Sequence, residues 1–150
     1  LREMVAANTG LDLDVVESEA VAVDGRMLPQ EWLRGADGRF IKTDALDHHA
    51  NDFFPGDTDI SWDLAGLTVE FDLDSEGERY LIDRYRRHSG DTDVARRLVA
   101  YRLAYLAFRI GYSSMAADAL AGSEDGRRFA LEAAYYRSQC ALKPAMSRSA

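Results

Sequence analysis

Cysteine is almost absent from the chain. Cys140 is the one thiol in 150 residues, which excludes an internal disulfide and fits a reducing cytoplasm, the expected location. No apolar run approaches the roughly 20 residues that a bilayer-spanning helix requires, and no signal-peptide pattern is visible, so no membrane partner is expected. Neither HExxH nor CxxC occurs, which argues against a structural or protease-type zinc site. Positive charge is scarce, with 18 Lys and Arg against 26 Asp and Glu, a net charge of −8 and a pI near 4.8. Such a surface repels phosphates, so a nucleic-acid partner is not expected, whereas a small cationic ligand is attracted. There is no internal repeat and no low-complexity linker. What is present is a 47% hydrophobic content, sufficient for a sizeable core in a single domain over residues 1–150.

The opening "LREMVAANTG" begins with leucine inside a helical pattern of Leu1, Met4 and Val5, with Asn8 to Gly10 as its stop. The sequence is therefore expected to be a fragment or to have lost an upstream region. The run "LDLDVVESEA" alternates and then turns acidic, the pattern of a short strand or of a helix start, and is read as helix. In "VAVDGRMLPQEWLRG", Asp24-Gly25 marks a turn and Pro29 excludes a long helix through its own position. Asp37-Gly38 is a second turn signal, and the alternation in "RFIKT" predicts a hairpin strand.

Everything after residue 58 reads as helical. "DTDISWDLAGLTVEFDL" has Thr58 or Asp59 as N-cap and Ile60, Leu64, Leu67 and Phe71 along one face. "SEGERYLIDRYRRHSG" has Ser75 as cap, offers Tyr80, Leu81 and Tyr85 to a core, and stops at Gly90. "DTDVARRLVAYRLAYLAFRIGY" carries two apolar faces, the pattern of a helix buried between neighbours. A last helix, "EDGRRFALEAAYYRSQCAL", ends before Pro144. Arg84, Arg86 and Arg87 are expected on a solvated helix face, and the tyrosine stripe of the long helix in the core.

The stretch "KTDALDHHANDFFPGDTDISWDLAG" holds six aspartates and two adjacent histidines. Carboxylates and imidazoles hold divalent cations, but aspartate-rich loops also solvate connections and cap helices, and both readings stand at this point. Adjacent residues such as His48 and His49 point in different directions, so only one joins a given site easily. Asp47-His48-His49 is also the signature of the DHH phosphoesterases, which hold two manganese ions, although the further upstream aspartate motifs of that family are not found.

A turn with Gly25 and Pro29, a hairpin ending in Asp44, a polar loop and then "DISWDLAG" form an ordered set. In this set the chain resembles, over residues 22 to 112, the C-terminal lobe of the aminoglycoside phosphotransferase and choline-kinase-like group of the protein-kinase-like fold. "GRMLPQE" lies where that family has "GDLHPGN", so Arg26 stands at the catalytic Asp and Glu31 at the metal-binding Asn. Asp44 lies at the Asp that bridges magnesium to the nucleotide phosphates, with Asp47 or His48 behind it. Asp59 and Asp63 lie at the two aspartates of "DxxxDLA", and the resemblance gives Asp63 hydrogen bonds from the catalytic-loop backbone. It implies an α-rich α+β lobe with a small β-hairpin, and Mg²⁺ on Asp44 and Glu31 positioning ATP or another NTP for attack by a hydroxyl of a small acceptor. Because a guanidinium accepts no proton, Asp24 would replace Arg26 as the base, or the base is lost. No Gly-rich strand pair precedes residue 22, so the nucleotide-binding N-lobe would come from an upstream segment or a partner. The alternative from another class is a degenerate kinase-like binding module without phosphotransfer.

Overall fold

The computed structural model describes residues 18–44 and 56–142, with side chains to 140. The expected helix around Leu1 to Val5, the triplet Asp47-His48-His49 and Pro144 lie outside the described residues. Of the run 11–20, only residues 18–20 are described, and they carry no helix. Among the described residues the chain is mostly helical with one two-stranded antiparallel sheet, an α-rich α+β arrangement. It divides into two compact units, residues 1–101 and 102–150.

In the first unit the sheet pairs β1 (Trp32–Arg34) with β2 (Phe40–Lys42) in the register Trp32↔Lys42, Leu33↔Ile41 and Arg34↔Phe40. Its turn is made by Asp37, whose side chain accepts from the Arg39 backbone at 3.1 Å, and by Gly35 N–H donating to the Arg39 carbonyl at 2.8 Å. The ladder continues past the strands, because Thr43 N–H donates to the Glu31 carbonyl at 2.8 Å. An isolated antiparallel bridge joins Val21 to Thr58 through bonds of 2.8 and 3.0 Å.

Helix α1 (Ser61–Glu70) follows that bridge and is buried around most of its circumference, at Ser61, Asp63, Leu64, Ala65, Gly66, Thr68 and Val69. Side chains this small let neighbouring backbone come close, and that brings the loop around Gly25 within hydrogen-bond reach of the first helical turn. Phe71, expected on the buried face, lies past the helix end and is partly exposed, with its ring edge-on to Trp32 at 6.1 Å. Helix α2 (Ser75–Ser89) is capped by Asp74 rather than by Ser75, and stops at Gly90, whose N–H donates to the Arg86 carbonyl at 2.9 Å. Arg84, Arg86 and Arg87 are exposed, as the charge pattern predicts. Helix α3 (Val94–Ala119) buries Val94, Arg97 and Leu98 in this unit.

The second unit consists of α3 from residue 102 onward and α4 (Glu124–Leu142). Tyr105, Leu106, Ala133 and Tyr136 are its buried apolar residues. Gly126 holds the turn between the helices, since a Cβ there would lie 2.2 Å from the Leu120 carbonyl oxygen, too close for any other residue. Arg109 is buried and donates from Nε to Tyr136 Oη at 2.9 Å and from a terminal nitrogen to Glu132 at 3.0 Å. Ser113 Oγ donates to the other Glu132 oxygen at 2.8 Å. A buried guanidinium bonded to a hydroxyl and a carboxylate, with an aromatic face 5.0 Å away, is a satisfied cation.

Candidate functional site

The segment from Val23 to Glu31 is anchored by buried Val23 and Leu28, and ends in a single 3-10 turn, Pro29–Glu31. Pro29 suits the start of that turn because its missing N–H would be unbonded there in any case. Gly25 has φ 81, a left-handed conformation that a side chain would strain, and its backbone is drawn against α1. Three bonds do this. Asp63 accepts from Asp24 N–H at 2.8 Å with one oxygen and from Gly25 N–H at 2.9 Å with the other, while Trp62 Nε1 donates to the Gly25 carbonyl at 3.0 Å.

Above that anchor lies a cluster of alternating charges. Asp24, Glu31 and Asp63 are only 9%, 7% and 4% exposed. Isolated carboxylates at such depth would be strongly penalised, and two cations answer them. Lys42 reaches in from β2, its Nζ 3.0 Å from Asp24 Oδ2, 3.0 Å from Glu31 Oε2 and 2.9 Å from the Thr43 carbonyl. The Asp24 contact is an ion pair whose angles fall short of a hydrogen bond. Arg26 Nε lies 2.9 Å from Glu31 Oε1, and Arg26 N–H donates to Asp24 Oδ1 at 3.1 Å. Burial works against the Lys42 charge, but the Asp24 and Glu31 carboxylates outweigh it and hold the ammonium above the ordinary lysine value. Asp63 goes the other way: burial raises its pKa more than the two amides lower it.

Asp44 arrives beside this cluster through the sheet. Thr43 gives both its N–H and its hydroxyl to the Glu31 carbonyl, at 2.8 and 2.9 Å, so the residue after it leaves the ladder next to the 3-10 turn. Asp44 is exposed and has φ 59, an uncommon conformation for a residue with a side chain. Asp59 has a different setting. One carboxylate oxygen accepts from Ser18 Oγ and from Arg97 Nε, the latter at 2.7 Å, and the other accepts from Ser61 N–H at 2.8 Å. Arg97, 4% exposed, also clasps Asp91 with both terminal nitrogens. The Asp91 hydrogen bonds and then those of Asp59 raise the Arg97 pKa, with burial opposing.

The structure therefore brings Asp24, Arg26 and Glu31 together, seats the loop that carries them on Asp63, and separates Asp59 into its own ion-pair cluster. Magnesium fits the donor set poorly as it stands. Both Glu31 oxygens are engaged by internal cations, and among the described residues no three His, Cys, Asp or Glu side chains converge on a common cation position. Lys42 is the functional-looking residue that the sequence reading passed over. Its signal lay in the alternation of "RFIKT", which sets Lys42 two residues from Phe40 and across from Trp32. Arg97 carried a signal too, at steps of three and four from Val94 and Tyr101 on the buried face of α3.

The chain matches no protein-family model, no curated protein and no solved structure.

Proposed function

We propose that this chain is a degenerate kinase-like binding module, a C-lobe architecture related to small-molecule phosphotransferases around a loop that no longer transfers phosphate. The observation that carries the reading is the pairing of Glu31 with two internal cations, Arg26 at 2.9 Å and Lys42 at 3.0 Å. Phosphotransfer to a hydroxyl needs a group that takes the proton and carboxylates that hold magnesium. Arg26 accepts no proton, and Glu31 and Asp24 are neutralised from within. The reading is supported further by Asp63, which accepts the amides of Asp24 and Gly25 as the "DxxxDLA" resemblance implies. With a net charge of −8 the preferred ligand is a small cationic or amino-bearing molecule, an uncharged sugar also being compatible, in a cytoplasmic setting.

One observation favours a second reading, an active Mg²⁺- and ATP-dependent phosphotransferase. Asp44 sits in a left-handed conformation at the end of β2, and such strained positions cluster at functional sites. In that reading Asp44 and Glu31 hold the metal, Asp24 serves as base, and a nucleotide-binding lobe comes from an upstream segment or a partner.

Thermal denaturation with amino alcohols and amino sugars, beside a γ-phosphate transfer assay with Mg-ATP, separates the two. A binding module is stabilised by a bound ligand, by roughly 2.7 kcal/mol at a hundredfold excess over Kd, and shows no transfer. Magnesium-dependent transfer that disappears in Asp44→Asn would replace the first reading with the second.

A further inference from the structure

We infer that Lys42 is a resident cation that takes the place of a divalent metal ion between Asp24 and Glu31, and that these oxygens form a latent metal site opened by removal of the ammonium. The inference rests on the distances alone and stands whether or not the kinase-like reading does. A protonated lysine has three donors, and the three oxygens around Nζ are Asp24 Oδ2 at 3.0 Å, Glu31 Oε2 at 3.0 Å and the Thr43 carbonyl at 2.9 Å. Two carboxylates and a backbone carbonyl are also the oxygen types that hard cations select. The cage is built rather than incidental. Glu31 belongs to the 3-10 turn, its carbonyl is tied to Thr43 by two bonds, and Asp24 is fixed through its amide to Asp63. The Lys42 side chain is 11% exposed, so the charge is enclosed with its partners.

The chain has only two lysines among its 18 basic residues, Lys42 and Lys143, so an amine-directed experiment reads Lys42 with little interference. Arginine would be a poor substitute in this cage, because a planar fork does not match three oxygens gathered around one point. The compact ammonium does.

The test uses terbium as an oxygen-seeking probe, with luminescence sensitised by Trp62, whose indole bonds the carbonyl of Gly25 beside the cage. The wild-type chain is expected to give no saturable signal at micromolar terbium. Lys42→Met, which keeps the stem and removes the charge, is expected to bind one equivalent at least about tenfold more tightly than wild type, and adding Glu31→Gln to Lys42→Met is expected to reverse the gain. Equal binding by wild type and Lys42→Met, or a gain that Glu31→Gln leaves intact, would overturn the inference. Should Lys42→Met lack a native circular-dichroism spectrum, reductive methylation of the wild-type chain decides. Slow methylation of Lys42 when folded, unchanged by millimolar manganese, upholds a resident ammonium. Fast methylation, or acceleration by manganese, overturns it.

Discussion

Asp59 and Asp63 lie four residues apart on one segment, both almost fully buried, and their surroundings move them in opposite directions. At Asp59 burial raises the pKa, but donors from Ser18 and Ser61 and the Arg97 guanidinium prevail and hold it below the ordinary value. At Asp63 burial is again the largest influence and wins, because the amides of Asp24 and Gly25 bring partial charge only. Hydroxyl and amide donors together with a guanidinium compensate the buried Asp59 carboxylate, whereas at Asp63 two amides satisfy the hydrogen bonds and leave part of the desolvation standing. The first arrangement ties the start of α1 to α3. The second positions a loop at a cost in stability.

The sharpest way to break this contrast is Arg97→Ala, which strands Asp59 and Asp91 around a cavity. Removing one partner from a buried ion pair is expected to lower unfolding stability by about 3 to 5 kcal/mol, read as a fall in the urea midpoint. Asp63→Ala comes next, since it leaves two buried amides without an acceptor, at about 2 to 3 kcal/mol. Loss of the native tryptophan signal of Trp62 is expected with it, because that indole holds the same loop. Asp74 offers the exposed version of the same device, accepting from Glu76 N–H at 3.1 Å and Gly77 N–H at 2.8 Å. With water available to the freed amides, Asp74→Ala is expected to cost about 1 kcal/mol. An Asp74 effect as large as that of Asp63 would show that burial is not what separates them.

The smallest effect is in the pH profile. Asp59 and Asp91 have folded pKa values below the ordinary 3.8, so their stabilisation is complete above 3.8 and is lost as pH falls through the lowered values. The folded pKa of Asp63 lies above 3.8, so its ionisation destabilises the fold progressively as pH rises from 3.8 through the raised value. Asp63→Asn is expected to remove that second slope and keep the first, as measured by urea midpoints across the acid range. Identical profiles for the variant and wild type would remove burial as the dominant influence at Asp63.

Much of the fold was legible where a local signal decides the structure. Asp37-Gly38 with the alternation of "RFIKT" located the hairpin, Gly90 marked the end of α2, and "EDGRRFALEAAYYRSQCAL" bounds α4 as Glu124–Leu142. The misses arose where two signals competed. Tyr80 was assigned to a core and is 66% exposed, because Ile82 defines the buried face and a residue two positions away lies about 200° around the helix. Ser75 yielded the cap to Asp74, a better acceptor one step earlier. In the site, the turn at Asp24-Gly25 and the break at Pro29 were legible from local signals. The Lys42 and Arg97 contacts were not, since they reach residues as far as 38 positions away and a basic residue on an apolar face does not stand out against apolar periodicity.

The bridge between Val21 and Thr58 has a consequence for how this protein can vary. Its two backbone bonds turn the chain between them into a closed ring that contains the hairpin and the charge cluster. Ring closure depends only logarithmically on contour length, so doubling the chain within it costs about 0.6 kcal/mol. The bridge and the bonds from Asp63 to the amides of Asp24 and Gly25 hold the two ends of the ring in one mutual register. The bridge is a long-range contact, so the bonds that close the ring offset the entropy lost when its distant ends are brought together.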